Sequence, residues 1–229
     1  MSRILLIETS TALCSVALAS NEGGWHIAAS RHSEEPRQHA SMTAVYIDEV
    51  LREYGICARD LNAVALSSGP GSYTGLRVGS STAKGICFGA GIPLIAVGTL
   101  DVLAWQGISE GLLPERCHAI LPMIDARRME VYSAIYSPDG NRLTDIAPTV
   151  IDESSFADLF AAGPVLVIGD AADKCSFLPA ARFIQCCPTA EAMLAPATKK
   201  FEAGEFENIA YFEPFYLKDF VATVGKKLF

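Results

Sequence analysis

The chain lacks the features that mark several common functions. Its 229 residues contain no apolar run long enough to span a bilayer, and the opening MSRILLIETS is too short an apolar run for a secretory signal. No dense Lys/Arg run occurs. Eighteen Lys+Arg face 26 Asp+Glu, a net charge of −8, which disfavours unaided binding to a polyanion such as RNA. No CxxC pair occurs either. The seven cysteines, at 14, 57, 87, 117, 175, 186 and 187, are odd in number and lie mostly in apolar surroundings, as buried thiols of a reducing compartment do. HExxH is missing, so a zinc-peptidase reading finds no support. These absences predict a cytoplasmic protein with no membrane segment and no metal site of its own. Half the residues are hydrophobic and 19% are charged, the balance of a globular chain.

What is present is a repeat. ILLIETSTALCSVALASNEGGWHIAAS (4–30) and LPMIDARRMEVYSAIYSPDGNRLTDIA (121–147) align without a gap at a shift of 117 residues. Glu8 then meets Asp125 and Gly23 meets Gly140. The pairs Val16/Ser133, Ala17/Ala134 and Leu18/Ile135 follow less strictly. Each copy reads strand, acidic turn, strand, glycine turn, strand. After the first copy the periodicity predicts a helix over 38–54, a strand over 61–67, a helix over 72–90, a strand over 93–97 and a helix from Thr99. After the second it predicts a helix over 153–161, a strand over 164–169, a helix over 170–178, a strand over 182–187 and a helix over 189–203. Antiparallel strands followed by alternating helices and strands give an α/β fold with a mixed, helix-flanked sheet in each half. The expected division is an N-terminal subdomain over 1–108, a hinge over 109–116, a shorter C-terminal subdomain over 117–205 and a tail over 206–229. Two such halves facing each other across a cleft resemble the actin-like (ASKHA) ATPase architecture.

In that architecture the acidic turns hold a nucleotide and its metal, so Glu8, Asp125 and Gly169 are the candidate cofactor-binding residues. The turn VIGDAADKC supplies one glycine, Gly169, and then Asp170 and Asp173, two carboxylates that repel phosphate. An autonomous ATP site is therefore poorly served. SSGPGSYTGLRVGSSTAKG (67–85) is no replacement. Leu76-Arg77 stands where a P-loop needs Lys-Ser/Thr, and Pro70 precedes Ser72 where a nucleophile elbow needs glycine.

The glycines of that run suggest packing. Gly75, Gly79 and Ala83 recur every four residues, one helical stripe that another backbone can approach closely. Interior helical glycine costs about 0.8–1.0 kcal/mol relative to alanine, which close packing can offset. Apolar and small side chains fill about 200° of this helix, against the 100° that one core requires. On the preceding helix Met42, Tyr46 and Val50 form a further apolar stripe. The two helices either cover each other or dock another protein. The second alternative names Met42, Tyr46, Val50, Gly75, Leu76, Gly79 and Ala83 as the partner interface. Arg127 and Arg128, beside the second acidic turn, are candidate contacts for phosphate or a partner.

ILLIETSTALCSVAL, GPGSYTGLRVGSSTAKGICFGAGIPLIAVGTLDVLA and MIDARRMEVYSAIY closely resemble the bacterial TsaB (YeaZ) family across most of residues 3–136. The terminal EPFYLKDF is similar to that family's Pro-x-Tyr-Leu-Arg element, with Lys218 in the arginine position. The resemblance implies a non-catalytic subunit for threonylcarbamoyladenosine formation at position 37 of tRNA. That subunit pairs through its first-domain helices with TsaD, a catalytic paralogue, or with a second copy of itself, and TsaE, a small ATPase, joins the pair. It implies no cofactor of the chain's own. ATP and a metal serve the partner subunits, a composite nucleotide site completed on docking stays open, and tRNA is met only indirectly. The paralogue's metal-binding HxxxH is absent here: His39 is followed four residues on by Thr43, and Pro36 separates it from His32. The rival readings are an autonomous ATPase or small-molecule kinase and, least favoured, a metallopeptidase.

Overall fold

The computed structural model describes residues 1–217. The first sheet contains β1 (Arg3–Glu8), β2 (Ser15–Asn21), β3 (Trp25–His32), β4 (Ala63–Ser67) and β5 (Leu94–Val97), with α1 (His39–Glu53) and α2 (Tyr73–Ala90) between its later strands. Its spatial order is β3-β2-β1-β4-β5. After α3 (Thr99–Ser109) a second sheet follows, from β6 (Ala119–Asp125), β7 (Glu130–Ser133), β8 (Ala147–Val150), β9 (Val165–Gly169) and β10 (Arg182–Gln185). Its order is β8-β7-β6-β9-β10, with α4 (Ala157–Ala162) before β9 and α5 (Leu194–Ala203) after β10. In both sheets the first three strands are antiparallel and the fourth and fifth run parallel to the first. The written repeat is a structural one. Gly23 and Gly140 turn their hairpins at φ +76° and +79°.

The first sheet is covered on both faces, which is why its strands read as continuous apolar runs. Leu5, Ile7, Val64 and Leu66 pack with Ile47, Val50, Leu51, Ala83 and Cys87 of α1 and α2. Their neighbours Ile4, Leu6, Ala63 and Ala65 point the other way, onto Met193 and Ala197. That second cover corrects the expected division of the chain. Residues 190–203, assigned by sequence to the C-terminal subdomain, lie on the first sheet. There Ala190 N–H donates to Ser15 Oγ at 2.8 Å, Lys200 Nζ to the Ala96 carbonyl at 2.8 Å and Trp25 Nε1 to Glu202 Oε1 at 2.7 Å. Conversely α3, assigned to the first subdomain, lends Leu100, Leu103 and Ala104 to a core with Ile120, Leu166 and Ile168 of the second sheet. Each sheet has an apolar face that its own half cannot cover. The chain therefore crosses over twice.

Three helical boundaries differ from expectation. Asp152 Oδ1 accepts from Ser154 N–H and from the Ser154 and Ser155 hydroxyls, a local turn that delays α4 to Ala157. The helix expected over 170–178 is a single 3-10 turn, Asp173–Cys175. That expected over 189–203 splits into a 3-10 turn, Glu191–Met193, and α5, whose third residue is Pro196. The described part of the tail returns to the first half: Glu207 N–H donates to the Leu94 carbonyl at 2.8 Å and Phe215 N–H to that of Ser68 at 2.7 Å. Lys218 lies outside the described residues.

Candidate functional site

The acidic turn of the first half is sealed. Glu8, the last residue of β1, has no solvent exposure. Its Oε1 accepts from Ser10 N–H at 2.6 Å and from the Ser67 hydroxyl at 2.8 Å, while Oε2 has no partner among the described residues. Burial pushes this carboxyl up to about 7, against the opposing hydrogen bonds from Ser10 and Ser67. A carboxyl that is half protonated near neutrality and reached by no solvent is a poor ligand for a hydrated magnesium ion.

The second turn is closed differently. Asp125 ends β6, where the repeat places it, and its Oδ1 accepts from Arg127 N–H at 2.8 Å and forms an ion pair with Lys174 Nζ. Asp170 Oδ1 accepts Asp125 N–H at 2.8 Å, and burial pushes the Asp170 carboxyl up to about 6. Gly169 is buried, with φ +133°, and a Cβ there would overlap the Met123 carbonyl. The glycine is accounted for by the approach of β9 to β6, without a phosphate. Among the described residues no group of three or more His, Cys, Asp or Glu side chains could hold a metal ion. The residues that an actin-like ATPase would use here do not fit a metal–nucleotide complex.

Lys174 was not singled out by sequence. Its ammonium also donates to the carbonyls of Arg128 at 3.0 Å and Glu130 at 2.7 Å, so all three of its protons are placed. They hold a turn in which Arg127 and Arg128 have φ +72° and +53°. Left-handed backbone costs about 1–2 kcal/mol per non-glycine residue. Both side chains stand in solvent.

The helix pair also differs from expectation. Tyr46, Val50, Gly75, Leu76, Gly79 and Ala83 are buried inside the chain, and Met42 is half-buried against the same core. They do not form an outward face. A Cβ on Gly75 would overlap the Thr9 carbonyl, and one on Gly79 the Thr9 hydroxyl, so this glycine stripe admits the β1–β2 turn rather than another protein. Ser72 caps the helix, its Oγ accepting from Gly75 N–H at 3.3 Å. The outward face carries other residues: Phe88 is 86% exposed and Val45 42%. Gly85 and Gly89 flank Phe88 with nothing within 4 Å of an added Cβ. An aromatic side chain between two glycines, on the polar side of the helical wheel, was the signal available in GICFGA. His39 is buried at the start of α1 with Nε2 unpartnered among the described residues.

Two repeats of one strand order, exchanging their covering helices across a pair of acidic turns, define an actin-like (ASKHA) protein. The family model for TsaD, tRNA N6-adenosine threonylcarbamoyltransferase, matches residues 31–164. The tRNA threonylcarbamoyladenosine biosynthesis protein TsaB of Escherichia coli K12 is 33% identical over 234 residues, covering 96% of each chain. TsaB of Haemophilus influenzae is 35% identical over 129 residues, 56% of this chain and 51% of the relative. The solved structure of YeaZ from Pseudomonas aeruginosa superposes with a TM-score of 0.78 at 28% identity, over 95% of this chain and all of that one. The chain belongs to the TsaB (YeaZ) family.

Proposed function

We propose that this chain serves threonylcarbamoyladenosine biosynthesis on tRNA as a non-catalytic subunit, pairing through the outer faces of α1 and α2 with a TsaD-type catalytic subunit. The role in the modification follows from kinship with the TsaB proteins. The pairing rests on one observation: Phe88 stands 86% exposed between Gly85 and Gly89, whose missing side chains leave open space. Each of those glycines costs the helix about 1 kcal/mol relative to alanine. Close approach of a partner helix offsets that cost and buries the ring. A TsaE-type ATPase joins the pair, ATP and metal are handled by the partners, tRNA is met mainly through them, and the complex works in the cytoplasm.

The state of Glu8 and Asp125 supports the absence of independent ATP turnover. One carboxyl is buried and inclined to stay neutral, and the other is bound to Lys174. The test is co-purification with a TsaD-type protein from the same cell. Wild type should elute as a complex at micromolar concentration and Phe88→Asp as a monomer. Separate elution of the wild-type chain and that partner would count against the reading. Self-association lost with Phe88→Asp would assign the face to a second copy instead.

A further inference from the structure

The β6–β7 turn is polarised in its hydrogen bonding. Every carbonyl from Arg127 to Glu130 already accepts: Arg127 from Glu130 N–H at 3.2 Å, Arg128 from Lys174 at 3.0 Å, Met129 from Ile151 N–H at 2.7 Å, and Glu130 from Ala126 N–H at 3.1 Å and Lys174 at 2.7 Å. The Asp125 carboxylate beside it is held by Lys174 and Arg127 N–H. The donors are left over. Among the described residues the backbone N–H groups of Arg128 and Met129 meet no acceptor, and neither guanidinium forms an ion pair. A turn needing only its left-handed shape would carry asparagine or glycine. This one presents two arginines there, anchored by a lysine that neutralises the nearest acid. Beside the tip, Met129 is 43% exposed and Val150, next along the paired strand, 69%.

We propose that the Arg127–Met129 tip is a binding site for a phosphate group, gripped by two guanidinium forks and two backbone N–H groups. Guanidinium matches phosphate oxygens bidentately, and adjacent free N–H groups in a turn add fixed partial positive charge. Two forks and two amides offer more donors than the four lone pairs of one carboxylate can accept, which favours phosphate. Met129 and Val150 give the apolar part of a phosphate ester a surface to lie on. The site lies on the opposite half from the α1–α2 face and goes beyond the pairing role, in which RNA contact falls to the partner. Two sources share this chemistry, a nucleotide's phosphates and an RNA backbone.

The test is an amide-resolved NMR titration of the full chain, one arm with ATP and one with an anticodon stem–loop RNA. The expected result is saturable movement of the Arg128 and Met129 amides, with half-saturation raised at least about tenfold in the double variant Arg127→Gln/Arg128→Gln, the scale of losing charge-assisted hydrogen bonds. The arm that shows this identifies the source. Arg59→Gln, an exposed arginine on the other half, controls for loss of a surface charge away from the tip and should change half-saturation less than about twofold. Silence of those two amides in both arms overturns the site. Unchanged saturation in the double variant, or equal weakening by Arg59→Gln, does so as well.

Discussion

Gly75 of α2 lies directly against the carbonyl oxygen of Thr9, so closely that a methyl group on Gly75 would overlap it. The contact joins the end of β1 to the first turn of α2. It explains why a helix opening on YTGLRVGS has glycine where alanine would be the better helix former. Gly75→Ala should therefore destabilise the chain by about 3 kcal/mol, since a backbone carbonyl, unlike a flexible side chain, cannot swing aside. Gly85→Ala, in open space on the same helix, should gain up to about 1 kcal/mol. Urea unfolding of the two variants reads the contrast, and equal midpoints would mean that α2 is not seated on Thr9.

Phe88 gives the opposite pattern. Its ring is 86% exposed, so Phe88→Asp should leave unfolding stability within about 0.5 kcal/mol of wild type. Loss of a central interface aromatic costs about 2 kcal/mol or more of association, at least about thirtyfold in Kd. Sedimentation of the variant with a TsaD-type partner measures the second quantity and thermal melting the first. A variant that melts early would put Phe88 in the core.

Much of the fold was legible because continuous apolar runs, helical periodicity and gapless repetition are local signals. The shift that pairs Glu8 with Asp125 sets β1 on β6 and overlaps β2 with β7 and β3 with β8, and the two sheets share one strand order. The direction of the glycine stripe was not legible. Spacing of four residues shows that a close neighbour lies along Gly75 and Gly79, but not that it is Thr9 of the same chain, far away in sequence. The same limit hid Lys174, whose bond to Asp125 spans 49 residues. Crossing of α3 and α5 to the opposite sheets was also invisible, because an amphipathic helix does not name the sheet it covers. The outward face of the helix pair was legible in part. Phe88 was not singled out by sequence, although Gly85 and Gly89 on either side of it were the available signal, because the wheel credited the buried arc.

Glu8 makes stability depend on pH in a direction opposite to that of most carboxylates. Below about pH 4.5 both folded and unfolded chains hold its proton. From there to about pH 7 the unfolded chain releases the proton while the folded chain keeps it, so stability falls as pH rises across that window and levels off above it. The full contribution is on the order of 3 kcal/mol. Asp170, pushed up to about 6, acts in the same direction. Glu8→Gln keeps the acceptor for Ser10 and Ser67 and cannot ionise. It should flatten the decline between about pH 4.5 and about pH 7, and an unaltered slope in denaturant unfolding would show that Glu8 is ionised in the folded chain.

Lys174 provides the last prediction, because its three bonds separate the shape of the Arg127–Arg128 turn from the charge that the turn carries. Lys174→Met leaves both arginines in place but removes the donors to Asp125 Oδ1 and to the Arg128 and Glu130 carbonyls. The lysine side chain is 22% exposed and the aspartate 49%, so water recovers part of the loss, and the expected cost in stability is about 1–2 kcal/mol. The left-handed residues then lose their anchor. Hydrogen exchange at Ala126 and Glu130, whose N–H groups bond within the turn, should quicken about tenfold or more, while exchange in β1 and β4 changes only with global stability. Lys174→Arg keeps the charge, but a planar guanidinium cannot direct three protons at three acceptors as an ammonium does, so it should restore the ion pair and only part of the protection. Full protection in Lys174→Met would mean that the turn holds its shape without the clasp.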